Sequence, residues 1–149
     1  MGEVVMDMII KLSTLAEGVS SQVTYEYNAK RIDAEFEDMH YTTPIRFQAQ
    51  MRLECATLHV WGQLIGQVEQ VCARCLREVA VPVEQPVDLF YDTKDIDEID
   101  PLEQLREILI LSHELKFLCQ SECLGLCPGC GADLNAERCV CSIHNIPKN

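Results

Sequence analysis

The chain has 149 residues and a mass of 16.9 kDa, room for one domain with at most a small appendage. Apolar residues make up 48% and charged residues 24%, ordinary globular usage that excludes wholesale disorder. Acidic residues outnumber basic ones 24 to 12, for a net charge of −12 and a pI near 4.6, which excludes a nonspecific nucleic-acid binder built on surplus Lys and Arg.

In chain order, Val4 to Ile10 does not read as a secretory signal, because Asp7 interrupts it, no basic flank precedes it and it leads into Lys11. Nor does any stretch approach the ~18–20 apolar residues of a membrane span, so a cytoplasmic protein is expected. Met8 to Leu15 is short, apolar and compatible with a strand, and Glu17-Gly18 supplies a turn. Val23, Tyr25 and Tyr27 alternate with polar neighbours as in a half-buried strand, whereas Lys30 to His40 reads as an acidic loop or surface strand around Ile32 and Phe36.

The clearest element is Ile45 to Cys55, where apolar and polar residues alternate with period two, giving one dry face and one wet face. Cys55 falls on the dry face and reads as a small core residue. Leu58 to Val71 is extended, with Gly62 and Gly66 as candidate bulges or turns. Val79, Val81 and Val83 alternate, as do Val87, Leu89 and Tyr91, and Pro82 and Pro86 push these runs to a sheet edge.

Asp92 to Asp100 reads as an acidic linker. Asp100-Pro101-Leu102-Glu103 then starts a helix, with an Asp cap, Pro at the first position and Glu three residues after the cap. Leu102, Leu105, Ile108, Leu109 and Leu115 follow at helical spacing and predict a face that packs on the sheet. The expectation is an α+β fold: an antiparallel, partly barrel-like sheet, one amphipathic helix and a Cys-rich C-terminal tail. Its divisions are a β-rich domain over 1–91, a linker and helix over 92–118, and a metal-binding tail over 119–149.

Nine cysteines are an odd count, so disulfides cannot pair them all. In a reducing cytoplasm, clustered Cys reads as metal binding or redox chemistry. Cys127-Pro128-Gly129-Cys130-Gly131 has the form of a metal knuckle. Two thiolates must converge on one ion at ~2.3 Å, and Pro and Gly permit the tight turn that this demands. Cys139 and Cys141 would complete a tetrahedral zinc site, with His144 as a substitute ligand.

Cys119 and Cys123 are surplus to that site and could close a second one with Cys72 and Cys75. Cys72-Ala-Arg-Cys75 also admits a redox dithiol, or a plain turn whose Arg74 and Arg77 contact RNA or another partner. Closed Cys₄ sites are structural, whereas catalytic zinc keeps an open position. No phosphate loop or nucleophile elbow occurs, so no enzyme activity and no small-molecule substrate are expected.

Val71-Cys72-Ala-Arg-Cys75-Leu76, Leu118-Cys119, Gly125-Leu126-Cys127-Pro128-Gly-Cys130-Gly131, Leu134-Asn135 and Cys139-Val-Cys141 occur in that order. With the β-rich half before them, they make the chain resemble the YceD-type large ribosomal RNA subunit accumulation proteins, a bacterial and plastid family. In that comparison Met8-Ile-Ile-Lys-Leu resembles the usual start, and Met1 to Asp7 an extension. Ala73 replaces a usual acidic residue, and Glu114 and Phe117 replace prolines, which suggests a longer helix.

The resemblance implies a non-enzymatic cytoplasmic ribosome-biogenesis factor supporting 23S rRNA accumulation. Its partner would be a large-subunit precursor, reached through 23S rRNA or a basic ribosomal protein. The acidity of the chain suits the second, through a surface including Asp95, Asp97 and Glu98. The alternatives are a rubredoxin-like Cys₄ electron carrier, since such a knuckle also holds iron, or a thiol redox protein.

Overall fold

The structure is a computed structural model and describes residues 4–5 and 9–141. Its contacts divide the chain into two units: residues 1–69 with 80–113, and residues 70–79 with 114–149.

The first unit is built on the sheet. Strands β1 (Val4–Val5), β3 (Ser20–Tyr27), β5 (Ile45–Glu54), β6 (Thr57–Val71) and β4 (Met39–Tyr41) lie in the order β1-β3-β5-β6-β4, and β7 (Glu78–Asp92) pairs with β6. β3–β5 and β5–β6 are antiparallel, and β1 runs parallel to β3. The sheet is mostly antiparallel and open, and no pairing among the described residues closes it. Period-two alternation sets the phase of β5: Ile45, Phe47, Ala49 and Met51 are buried while their neighbours face outward. Leu58, Val60 and Leu64 of β6 join them beneath the sheet.

Helix α2 (Leu102–Leu111) covers this layer with Leu105 and Leu109, both essentially inaccessible. The N-cap position falls on Pro101 rather than on Asp100, one residue later than expected; Asp100 still accepts the Leu102 N–H at 3.0 Å, and Leu105 N–H donates to the Pro101 carbonyl at 3.0 Å. The helix ends at Leu111, so the longer helix suggested by Glu114 and Phe117 does not form, and Leu115 is 83% exposed rather than packed. Among the described residues no helix is long and apolar enough to cross a membrane.

Several local expectations are corrected. Cys55 is exposed, not core. Cys55 and Ala56 have φ of 47° and 63° and form a two-residue hairpin turn, with Glu54 paired to Thr57, so the alternation stops one residue short. Gly62 is neither a bulge nor a turn, because the β5–β6 register runs unbroken from Arg46–Ile65 to Glu54–Thr57. Its role is close approach: at φ 153°, a Cβ there would lie 1.9 Å from the Gln48 carbonyl oxygen. The two runs carrying Pro82 and Pro86 form one strand at the sheet edge.

The acidic linker contains strand β8 (Glu98–Ile99), which pairs antiparallel with β2 (Ile10–Lys11) and buries Ile99. After β2 the chain makes a 3₁₀ turn over Leu12–Thr14 instead of continuing as a strand, and Met8 lies outside the described residues. The supposed loop after Tyr27 opens with α1 (Ala29–Ile32), capped by the Asn28 side chain and burying Ile32.

Candidate metal centres

The second unit has little apolar material. Its buried cluster is Cys72, Cys75 and Cys123, with Leu118, Cys119 and Leu126 packed partly against them. The cysteines therefore form most of its interior.

Eight of them gather into two groups of four. Cys72, Cys75, Cys119 and Cys123 form one; Cys127, Cys130, Cys139 and Cys141 form the other, and within each group the sulfurs lie within 4.8 Å of one another. The fit to a tetrahedral ion can be tested by arithmetic. Four sulfurs at ~2.3 Å from a centre are ~3.8 Å apart along each edge. In the first group, Cys72–Cys123 and Cys75–Cys119 sulfurs are 3.7 and 3.6 Å apart. In the second, Cys130–Cys139 is 3.5 Å and Cys127–Cys139 is 3.1 Å. Both donor sets match the edge of such a site, the first more closely.

The local backbone explains how the sulfurs converge. After Cys127 the chain turns so that Gly131 N–H donates to the Cys127 carbonyl at 2.9 Å, with Gly131 at φ 76°. After Cys72 the same turn recurs: Leu76 N–H donates to the Cys72 carbonyl at 3.0 Å, with Leu76 at φ 59°. The two Cys-x2-Cys segments are thus the same knuckle, one closed by the residue that favours a left-handed backbone and one by a residue that resists it. Amides point at the sulfurs, Gly129 N–H to Cys127 Sγ at 3.3 Å and Cys141 N–H to Cys139 Sγ at 3.2 Å. Such donors stabilise thiolates.

The first group is well enclosed, with Cys72 fully buried, Cys75 6% exposed and Cys123 2% exposed. Burial raises the Cys72 thiol, but backbone N–H groups of Cys75, Cys119 and Arg74 outweigh it and bring it down to about 6. Burial, with the crowding Cys75 and Cys123 thiols, pushes Cys119 up to about 12. The Cys127 thiol leads the groups that hold Cys139 at about 12. Four adjacent thiols cannot all ionise without a cation among them, so a divalent ion would take the place of their protons. Burial of Cys72 and Cys75 in a hairpin tip also counts against a redox dithiol, which needs an accessible sulfur.

One contributor carried no assigned role in the sequence reading. Asn135, from the loop between Cys130 and Cys139, donates through Nδ2 to Cys123 Sγ at 3.4 Å and to Asp133 Oδ1 at 2.8 Å. Its Oδ1 accepts the Leu124 N–H at 2.8 Å and Gln120 Nε2 at 3.1 Å. The loop of one sulfur group thus orients a ligand of the other. The Asp133-x-Asn135 turn, in which Asn135 N–H donates to Asp133 Oδ1, was the available signal.

Arg74 and Arg77, expected as partner contacts, are engaged within this unit. Arg74 Nη1 donates to the Cys123 carbonyl at 2.9 Å. Arg77 Nη2 meets Asp133 Oδ2 at 2.6 Å, and this ion pair, after the amide hydrogens of Asn135, helps hold the Asp133 carboxyl below its usual range. Gly125, at φ 77°, packs on the Arg74 backbone, whose carbonyl oxygen would be 3.2 Å from an added Cβ. Asp95, Asp97 and Glu98 are exposed in the first unit. His144 lies outside the described residues.

Over 54 residues, 36% of its length, the chain is 33% identical to the large ribosomal RNA subunit accumulation protein YCED homolog 1, chloroplastic, of Arabidopsis thaliana. The matched stretch spans 17% of that relative, so most of the relative has no counterpart in the match. No family model and no solved structure matches the chain.

Proposed function

We propose that this protein is a non-enzymatic ribosome-biogenesis factor of the YceD type that supports 23S rRNA accumulation, with a Cys-rich unit ordered by two structural zinc ions. The relative named for large ribosomal RNA subunit accumulation supports the biogenesis reading. The zinc reading is carried by two Cys₄ sets whose spacing suits tetrahedral coordination and whose sulfurs receive N–H donors. The ligands would be Cys72, Cys75, Cys119 and Cys123 in one site, and Cys127, Cys130, Cys139 and Cys141 in the other. Neither site has a free protein-side position for substrate, which fits scaffolding rather than catalysis.

The factor acts in the cytoplasm on a large-subunit precursor, through its 23S rRNA or a basic ribosomal protein. Since Arg74 and Arg77 are held by Cys123 and Asp133, they serve a partner only by exchanging those contacts. The deciding experiment is gradient co-sedimentation with large-subunit precursors, with elemental analysis of the purified protein. Failure to co-sediment refutes the biogenesis role. Iron with visible absorption, in place of colourless zinc, supports the electron-carrier reading instead.

A further inference from the structure

The outward face of the first unit's sheet carries an aromatic stack that neither sulfur group uses. With Leu58, Val60 and Leu64 buried beneath the sheet, alternation places His59 and Trp61 of β6 on its other side. His59 stacks on Phe90 of β7, with centroids 4.2 Å apart and planes 3° from parallel, and on Trp61 at 4.4 Å and 26°. Asp88 fixes the imidazole through a 2.5 Å contact to Nε2. Phe90 nevertheless remains 64% exposed, an ordered flat surface open to solvent.

The surroundings select the ligand. Gln50 stands directly opposite Trp61, and Gln48 opposite Gln63, so amides that both donate and accept flank the rings. The outward charges of β5 are balanced: Arg46 pairs with Glu26 at 3.3 Å, and Arg52, opposite His59, with Glu54 at 2.5 Å. The β5 charges are thus paired, while β7 adds exposed Glu84, Asp88 and Asp92 on the face that carries Phe90. Parallel rings and flanking amides suit a ligand that offers flat π-faces and hydrogen-bonding edges. Unpaired nucleotides offer both, whereas a duplex hides its base faces.

We propose that this face binds single-stranded RNA, with bases stacking on the Trp61–His59–Phe90 rings. The choice of RNA rests on the ribosome-biogenesis reading; the site itself rests on the stack.

Trp61 is the chain's single tryptophan, so its fluorescence reports on the site directly. The full-length protein is titrated with a single-stranded oligouridine and with a duplex RNA of matched length, and labelled-RNA anisotropy follows the variants. The single strand should quench Trp61 saturably and bind better than the duplex. Phe90→Ala should weaken binding by roughly 5- to 150-fold, the range for loss of one stacked base. Because the two arginines are already paired and the chain is net acidic, log affinity should not fall with log salt, unlike the drop of about 1.4 per decade expected for two fresh contacts to single-stranded phosphates.

Absence of saturable quenching, or Phe90→Ala binding like the unmodified protein, overturns the proposal. Phe90 is exposed, so its variant should fold; Arg52→Ala and Gln50→Ala serve as further probes of the same face. Co-sedimentation separates the two readings. If Phe90→Ala binds the oligonucleotide like the unmodified protein while both travel with large-subunit precursors, this site is refuted and the biogenesis role stands. If the protein binds the oligonucleotide through Phe90 but never travels with precursors, the site stands and that role fails.

Discussion

Removing metal should dissolve one unit of this protein and spare the other. Among the described residues the second unit packs few aliphatics against its cysteines, Leu118 and Leu126 on the Cys72 group and a half-buried Leu134 near Cys139, while Leu124 is 66% and Val140 99% exposed. A structural zinc on four thiolates contributes an apparent ~10–16 kcal/mol at neutral pH, comparable to the whole stability of a typical domain at ~5–15 kcal/mol. A strong chelator should therefore open residues 114–141 to protease. The first unit, with Tyr27, Phe47, Leu58, Leu64, Leu105 and Leu109 in one core, should keep its sheet signal in far-UV circular dichroism. Release should come in two steps, because Cys130 is exposed in one group whereas three ligands of the other are buried. Elemental analysis should find two zincs per chain, falling to one in Cys139→Ser. A metal-free preparation with 114–141 protected, or one cooperative transition melting both units, would refute this account.

Other outcomes follow from single contacts. Asn135→Ala should weaken metal binding at the Cys72 group by about 10- to 100-fold, the usual effect of losing a group that orients a ligand, with the Cys127 group retaining its ion in a cobalt-substitution titration. Phe47→Ala should cost about 3–5 kcal/mol in denaturant unfolding of the first unit without changing metal content. Cys55→Asn with Ala56→Gly should stabilise by roughly 1–2 kcal/mol, since both positions have positive φ; no rise in melting temperature would contradict the turn assignment. Metal affinity should fall with acidification: Cys119, held at about 12, must give up its proton to bind, so uptake releases protons and is favoured as pH rises.

Elements governed by long periodicity or strong caps were legible. The alternation from Ile45 fixed the phase of β5, and Asp100-Pro101 announced α2, because each rests on a repeated or paired local signal. What escaped were features decided by one or two residues. Cys-Ala is no ordinary hairpin turn sequence, so nothing in it marked Cys55 as the end of a strand. β8 buries only Ile99 and is too short to show a period. At the site, Gly131 advertised one knuckle openly, while Leu76 adopts the same left-handed backbone without a glycine to reveal it. The grouping of Cys72, Cys75, Cys119 and Cys123 followed from counting; the backbone supplies the reason, an identical turn in both Cys-x2-Cys segments.

Charge decides between the two proposed kinds of partner, and salt makes the decision visible. Each zinc held by four thiolates adds −2, so two such sites would carry the chain from −12 to about −16. A basic ribosomal protein would be drawn by that field, and its association rate should fall steeply as salt screens the attraction. RNA would be repelled at long range and held only at contact, by stacking on the Trp61–His59–Phe90 face. Screening then removes repulsion rather than attraction, so the association rate for single-stranded RNA should rise with salt until the Debye length shrinks to about 10 Å near 0.1 M. Dissociation, governed by stacking, should change little over the same range. Stopped-flow quenching of Trp61 measures both rates. A rate of RNA association that declines from the lowest salt onward would mean that attraction between phosphate and arginine, not stacking, brings RNA to this protein.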